Sequence, residues 1–173
     1  AQVLPFDLKG LCFHGPDEQL NDTRYTQPCM VAFAAGLNAV LSERGIRPDC
    51  VAGLSLGEYS ALCAAGVFTP EQAVRLVAFR GAAMADAVQN RPTSMAAVLH
   101  LSRASLEDCC QKAASHGVVE MANFNCPGQI VITGLSEAVS EASEKLKAAG
   151  GRRVITLNVS GPFHSAMLAT AGK

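Results

Sequence analysis

The chain has 173 residues, the size of about one domain, with 49% hydrophobic and 17% charged residues and a formal net charge of −1. That balance supplies a globular core and excludes long disorder. The 14 Lys and Arg are scattered, so nothing reads as a nucleic-acid or membrane surface, and no apolar run approaches the roughly 20 residues that span a bilayer.

The first 25 residues read as irregular, with turn signals at His14-Gly15-Pro16-Asp17 and Asn21-Asp22. A helix is expected after Thr26, with Pro28 in its first turn. Met30, Phe33, Ala34, Leu37, Val40 and Leu41 would form its one buried stripe, and Gly45 would end it. Residues 50–52 read as a buried strand, and an Ala-rich helix is expected over about 56–65. The next helix has a clear start: Thr69 as N-cap, Pro70 at the first helical position and Gln72 completing a capping box. Its stripe is Ala73, Leu76, Val77, Arg80 and Met84, with the Arg80 charge interrupting the buried face.

From Met95 the pattern changes. Strands are expected at 95–99, 118–122, 130–133 and 154–159, and helices at 106–114 and 138–148, with a Cys126-Pro127-Gly128 turn between the middle strands. That order is βαββαβ, the split-βαβ arrangement of ferredoxin-like units, and it follows a crossing point at Asn90-Arg91-Pro92. The expected organisation is therefore α/β: a larger lobe of residues 1–93 and 159–173, and a small ferredoxin-like lobe of 94–158 inserted in it, the two sharing a cleft. The chain opens at Ala1 and stops at Lys173 in mid-pattern, so it reads as an excerpt lacking N- and C-terminal parts of the larger lobe.

Seven cysteines (Cys12, Cys29, Cys50, Cys63, Cys109, Cys110 and Cys126) form no CxxC pair and no zinc-type array. Several fall on expected apolar faces and read as buried, reduced thiols, with a cytoplasmic setting implied and no metal site.

Chemistry concentrates at Gly53-Leu54-Ser55-Leu56-Gly57, a G-x-S-x-G set between an expected strand and a helix. A nucleophile on a sharp strand-to-helix turn is exposed, and small residues on either side let the two elements approach. The helix N-terminus offers N–H groups to a developing oxyanion, with Leu56 the natural donor. A serine nucleophile needs a base. Of four histidines, His14 and His116 read as surface residues and His100 as a strand-end residue. His164, in Ser160-Gly161-Pro162-Phe163-His164-Ser165, sits where a strand end meets a helix start. A histidine that only satisfies backbone groups remains the alternative there. No acid falls on an evident strand-end turn to complete a triad.

Four ordered motifs carry a resemblance: 53–62 (GLSLGEYSAL), 80–84 (RGAAM), 122–129 (ANFNCPGQ) and 161–165 (GPFHS). Together they resemble the malonyl-CoA:acyl carrier protein transacylases, acyltransferases of fatty acid biosynthesis, from about Phe6 onward. The resemblance implies a malonyl-Ser55 ester, activation by His164, and Arg80 holding the malonate carboxylate. The Leu56 N–H would be half of the oxyanion hole, with Asn123 and Asn125 supporting from the small lobe, although hydrogen-bonded loop formers would look the same. Pro162-Phe163 resembles malonyl-selecting members, where methylmalonyl-selecting ones have Tyr-Ala-Ser. Leu54 stands where the family has His, a change several members share. The family's Gly-Gln-Gly segment and the later carbonyl that orients the histidine are not in the chain. Malonyl-CoA would be substrate and no cofactor is implied. The partner would be acyl carrier protein, the enzyme monomeric, with no nucleic-acid or membrane partner. Alternatives are an acyltransferase domain of a polyketide or fatty acid synthase, an α/β-hydrolase-type esterase, and a non-catalytic fragment that docks carrier protein. Arg80 weighs against the esterase, since a neutral ester needs no buried cation.

Overall fold

The structure, a computed structural model, describes residues 3–88 and 91–172, a mixed α/β protein. Ala1, Asn90 and Lys173, which mark the expected excerpt ends and crossing point, lie outside the described residues. The chain forms two compact units, residues up to 82 and residues from 83 onward.

The first unit is helical: α1 (Leu8–His14), α2 (Asp17–Leu20), α3 (Thr23–Glu43), α4 (Gly57–Ala64) and α5 (Pro70–Val88), the last crossing the unit boundary. The opening stretch is thus not irregular. Asp7 caps α1 by accepting from the Gly10 N–H at 3.0 Å, and the expected turn signals fall at helix ends. Helix α3 starts four residues earlier than expected after Thr26, because the Asp22 carboxylate accepts from the Arg24 N–H at 2.9 Å. Pro28 consequently lies in the second turn, with no N–H to give the carbonyl four residues back.

The stripe expected to be buried on α3 is not. Phe33 is 68% exposed, and Met30, Leu37, Val40 and Leu41 are exposed with it. The buried residues are Thr23, Gln27, Pro28, Cys29 and Val31, all near the N-terminal end of the helix. There Cys29 and Val31 pack with Leu8, Leu11, Ala73, Val74 and Val77. Periodicity marks a face that would gain from cover. Only neighbouring elements decide whether the cover is present.

Residues 50–52 form no strand and are exposed. A strand exists only through a neighbour's N–H and C=O groups, and among the described residues the one sheet lies in the second unit. The capping box of α5 forms as read: the Thr69 N–H donates to Gln72 Oε1 at 2.9 Å and the Gln72 N–H to Thr69 Oγ1 at 3.2 Å. Its buried face takes Ala73, Val74, Val77 and Met84, while Leu76 is 41% exposed and off the face.

The second unit runs β1 (Thr93–Leu99), α6 (Arg103–Ala113), β2 (Val119–Cys126), β3 (Gln129–Leu135), α7 (Ser136–Ala148) and β4 (Arg153–Thr156), followed by 3-10 helix over Ala166–Gly172. This strand–helix–strand–strand–helix–strand order is the one read from the sequence. The sheet is antiparallel with order β2-β3-β1-β4, so the first and third strands lie at its centre. Ala96 and Val98 of β1 and Ile130 and Ile132 of β3 meet Leu106, Cys109 and Ala113 of α6 and Val139, Ala142 and Leu146 of α7. Strand β4 ends at Thr156, earlier than expected, although the Leu157 N–H still donates to the Met95 carbonyl at 2.9 Å.

Among the described residues no helix is long and apolar enough to cross a membrane, and no cluster of three His, Cys, Asp or Glu could hold a metal. All seven cysteines are free. Cys29, Cys109 and Cys110 are buried, Cys63 is half-buried, and Cys12, Cys50 and Cys126 are exposed, against the expectation for residue 50. Burial pushes the Cys110 thiol up to about 11, and burial, a side-chain hydrogen bond with Cys12 that favours the protonated thiol, and the charge of Cys12 push Cys29 up to about 12. A raised thiol keeps its proton longer in the folded state, so its nucleophilic thiolate appears only near those values. Alkylation of the native protein at pH 8, read by peptide mass, should therefore modify Cys50 and Cys126 first. Cys110 should react only after denaturation.

Candidate active site

Ser55 sits on the turn into α4 with φ +54, the left-handed region. That conformation costs a residue with a Cβ about 1–2 kcal/mol. Packing around it explains why it persists. A Cβ built on Gly53 would lie 2.1 Å from the Gly57 carbonyl group and 2.3 Å from the Glu58 nitrogen, so the start of α4 passes directly over residue 53. Gly57 differs: a Cβ there meets nothing within 4 Å. Of the two flanking glycines, only Gly53 is demanded by close approach.

The turn also sorts its backbone donors. The N–H groups of Gly57, Glu58 and Tyr59 donate to the carbonyls of Leu54, Ser55 and Leu56 at 2.9, 3.3 and 3.1 Å. Among the described residues the Leu56 N–H has no such acceptor. The donor that precedes the first helical turn, next to Ser55, is the one left for an incoming oxygen.

Arg80 reaches this turn from α5. Its Nη2 donates to Ser55 Oγ at 3.0 Å and its Nη1 to Gln27 Oε1 at 2.7 Å, while Cζ lies 5.7 Å from the centroid of the Tyr59 ring. The guanidinium is half-buried, and both hydrogen-bond acceptors are neutral. No carboxylate is among its contacts in the described residues. A cation fixed beside a nucleophilic hydroxyl, with its charge unmatched, suits an acyl group that carries its own anion.

The second unit holds the other expected residues. His164 is exposed at φ +60, in a segment where Ser165 Oγ donates to the Pro162 carbonyl at 2.8 Å and Pro162 is fully buried. The Ala166 N–H donates to Glu120 Oε2 at 2.8 Å, tying the segment to β2. Among the described residues three non-glycine residues have positive φ, and Ser55 and His164 are two of them; His100, at the end of β1, is the third. Asn123 is half-buried on β2 beside a register shift, and Asn125 is exposed, its Nδ2 donating to Gln129 Oε1 at 2.9 Å. His14 and His116 are exposed, the latter 3.5 Å from Glu137. Thus Ser55, Leu56 and Arg80 are gathered in one unit, and His164, Asn123 and Asn125 are set in the other.

The acyl transferase domain family matches residues 2–173. The chain belongs to that family. This acyl transferase domain is 45% identical over 172 residues to malonyl CoA-acyl carrier protein transacylase of Escherichia coli (strain K12), covering 99% of this chain and 56% of the relative. Its fold is similar to the crystal structure of MCAT from Streptococcus pneumoniae, with 49% identity, a TM-score of 0.85 and coverage of 98% of this chain and 55% of that one. A malonyl-transacylase solved in complex with a type II PKS acyl-carrier protein superposes with a TM-score of 0.91 at 43% identity, over 98% and 55% of the two chains. The acyl transferase domain spans about half the length of the curated relatives it matches.

Sequence reasoning missed Gln27 and Tyr59. Gln27, 4% exposed, stands near the start of α3, where a polar residue looks ordinary. The available signal was a long polar side chain immediately before an apolar run. Tyr59 lies inside the 53–62 motif, where nothing in the sequence marks that its ring faces Arg80.

The two glycines yield a paired test. Gly53→Ala should destabilise the domain by several kcal/mol or abolish folding, as expected for a clash with backbone that cannot move aside. Gly57→Ala should be neutral or stabilising by up to about 1 kcal/mol, since alanine is the better helix former. Urea unfolding of both variants checks this; equal destabilisation would contradict the packing described.

Proposed function

We propose that the protein moves a malonyl group from malonyl-CoA to the thiol of acyl carrier protein through a malonyl-Ser55 ester, in fatty acid biosynthesis. The observation that carries this reading is the Arg80 guanidinium, 3.0 Å from the Ser55 hydroxyl and without an acidic partner among the described residues. The carboxylate carbon of a malonyl ester lies two carbon–carbon bonds, of about 1.5 Å each, beyond the ester carbonyl. A guanidinium that already reaches the hydroxyl needs only a short swing to grip that carboxylate with both arms. An acetyl group gives it nothing to hold. The relatives named as malonyl transacylases support the same substrate.

In this reading His164 takes the Ser55 proton as Oγ attacks the thioester carbonyl. The Leu56 N–H steadies the resulting oxyanion, with Asn123 and Asn125 in support. The carbon–sulfur bond breaks and the coenzyme A thiolate takes the proton from the imidazolium. The carrier-protein thiol then repeats the sequence in reverse and regenerates Ser55. No cofactor enters the cycle. The assignment goes with an α/β-hydrolase-like larger lobe over 1–93 and 159–173 and a ferredoxin-like lobe over 94–158, in a cytoplasmic monomer. A second reading places the acceptor in polyketide synthesis; the solved complex with a type II PKS acyl-carrier protein favours it. The chemistry is the same and only the carrier differs.

Incubation with malonyl-CoA should add one malonyl group that maps to Ser55 by intact and peptide mass. Ser55→Ala should abolish it, and His164→Ala should slow it by about 10²–10⁴-fold, the usual contribution of a positioned base. Stable acylation of the Ser55→Ala variant would overturn the nucleophile assignment.

Arg80→Ala should weaken malonyl transfer by about 2–5 kcal/mol, the scale for losing one partner of a desolvated charged pair. Acetyl transfer should fall much less. The ratio of kcat/KM for malonyl-CoA to that for acetyl-CoA, measured in the full-length protein, reads this directly. An unchanged ratio would make Arg80 a structural residue.

A further inference from the structure

We infer that Cys12 and Cys29 are a redox-active dithiol: Cys12 is the thiol that a hydroperoxide oxidises, and Cys29 is the thiol that turns the product into a Cys12–Cys29 disulfide. The inference is independent of the malonyl reading. Its basis is the meeting of α1 with α3. The thiols of Cys12 and Cys29 share a hydrogen bond. Leu8, one turn before Cys12, and Leu11, its neighbour, pack with Cys29 and Val31 in one buried cluster, so this face of α1 is seated on α3. The contrast is Cys109 and Cys110, adjacent on α6 and both buried, where neither thiol meets a solvent oxidant first.

Exposure divides the roles within the pair. Cys12 is exposed, and with Lys9, Phe13 and Phe33 it lines a surface cavity of about 500 Å³, ample for a molecule as small as hydrogen peroxide. Cys29 is 7% exposed. Burial is the first cause that raises its thiol to about 12, followed by the hydrogen bond with Cys12 and the charge of Cys12. A thiol that keeps its proton so firmly is not the one an oxidant attacks directly. The last two causes depend on Cys12 remaining a thiol. Once the Cys12 sulfur carries a hydroxyl, it has no thiolate charge to oppose ionisation of Cys29. The first oxidation thus readies the second thiol.

The chemistry balances in two steps. The Cys12 thiolate attacks one peroxide oxygen; the S–O bond forms, the O–O bond breaks, and the departing hydroxide is protonated to water. Cys12 is then a sulfenic acid. The Cys29 sulfur next attacks the Cys12 sulfur; the S–S bond forms, the S–O bond breaks, and the leaving hydroxide takes the Cys29 proton as a second water. Two thiols have lost two electrons and two protons, and the peroxide has been reduced to two waters. The sulfurs already touch, so each cysteine needs only a small turn about its one side-chain torsion. The bridge closes residues 13–28 into a loop that contains α2, fixing α1 to α3.

A resolving thiol changes where oxidation stops. With Cys29 in reach, Cys12 halts at a disulfide that a reductant reverses. Without it, an exposed sulfenic acid climbs on to sulfinic acid, which thiols do not reverse. Two cysteines that merely fill space would not show this difference.

The test uses the full-length protein, reduced, freed of reductant and treated with hydrogen peroxide, then alkylated in denaturant and digested with trypsin without reductant. Cleavage after Lys9, Arg24 and Arg44 puts Cys12 in peptide 10–24 and Cys29 in peptide 25–44. The expected product is these two peptides joined, two hydrogens lighter than their sum and separated again by dithiothreitol. In Cys29→Ser the joined pair should vanish and peptide 10–24 should gain two oxygens. In Cys12→Ser, Cys29 should remain fully open to alkylation. Joining of Cys12 to Cys50 or Cys126 in place of Cys29 overturns the inference. So does a Cys12 that reaches sulfinic acid as readily in the unaltered protein as in Cys29→Ser. If Cys29→Ser does not fold, the unaltered protein decides: oxidation of Cys50 or Cys126 with no joined 10–24 and 25–44 pair overturns the assignment.

Discussion

One guanidinium joins three stretches of chain that are distant in sequence: α3 through Gln27, the turn before α4 through Ser55, and α5, which carries Arg80 itself. Withdrawing a cation from water is expensive unless hydrogen bonds replace the lost hydration. Here two neutral oxygens and the face of Tyr59 do so without cancelling the charge. The N-terminal parts of α3 and α4 and the middle of α5 are thereby held to the same few ångströms. The arrangement retains a positive charge beside a hydroxyl, which is the electrostatic requirement for receiving an acyl group with a free carboxylate.

The second constraint is steric rather than electrostatic. Because α4 passes within contact distance of Gly53, the two residues that follow must turn sharply, and Ser55 is left in the left-handed region. Sharp turning leaves the Leu56 N–H outside the helix's own hydrogen bonding. His164 shares the same uncommon backbone state in the other unit, held by the Ser165–Pro162 hydrogen bond and the buried Pro162. Strain of this kind persists where surrounding contacts over-determine it.

The second unit illustrates how far alternation and turn chemistry carry. Its strands bury Ala96, Val98, Ile130 and Ile132 toward α6 and α7, and a Pro127–Gly128 turn sets the β2–β3 register. The strand spans and the turn are local signals, legible in the sequence; which strand residues face the helices is decided by the sheet. In the first unit local pattern and final burial part company. The α3 stripe of Phe33, Leu37 and Leu41 has helical spacing yet is exposed, and residues 50–52 have strand composition yet pair with nothing.

The sequence by itself determined whatever depends on neighbours within a few positions: the capping box at Thr69 and Gln72, the βαββαβ order, the G-x-S-x-G turn, and the motif set that marks the acyl transferase family. Spacing even singled out Arg80 as a charge on a buried stripe. It could not say what the charge faced, because Gln27 is 53 residues away along the chain and Ser55 is 25. Tertiary structure alone decided that pairing, that Gly53 and not Gly57 is sterically required, and which face of α3 is covered. These are outcomes of which distant segments come within a few ångströms. A hydrophobic period or a motif records only a residue's capacity for such a contact, and the folded chain determines whether the contact is made.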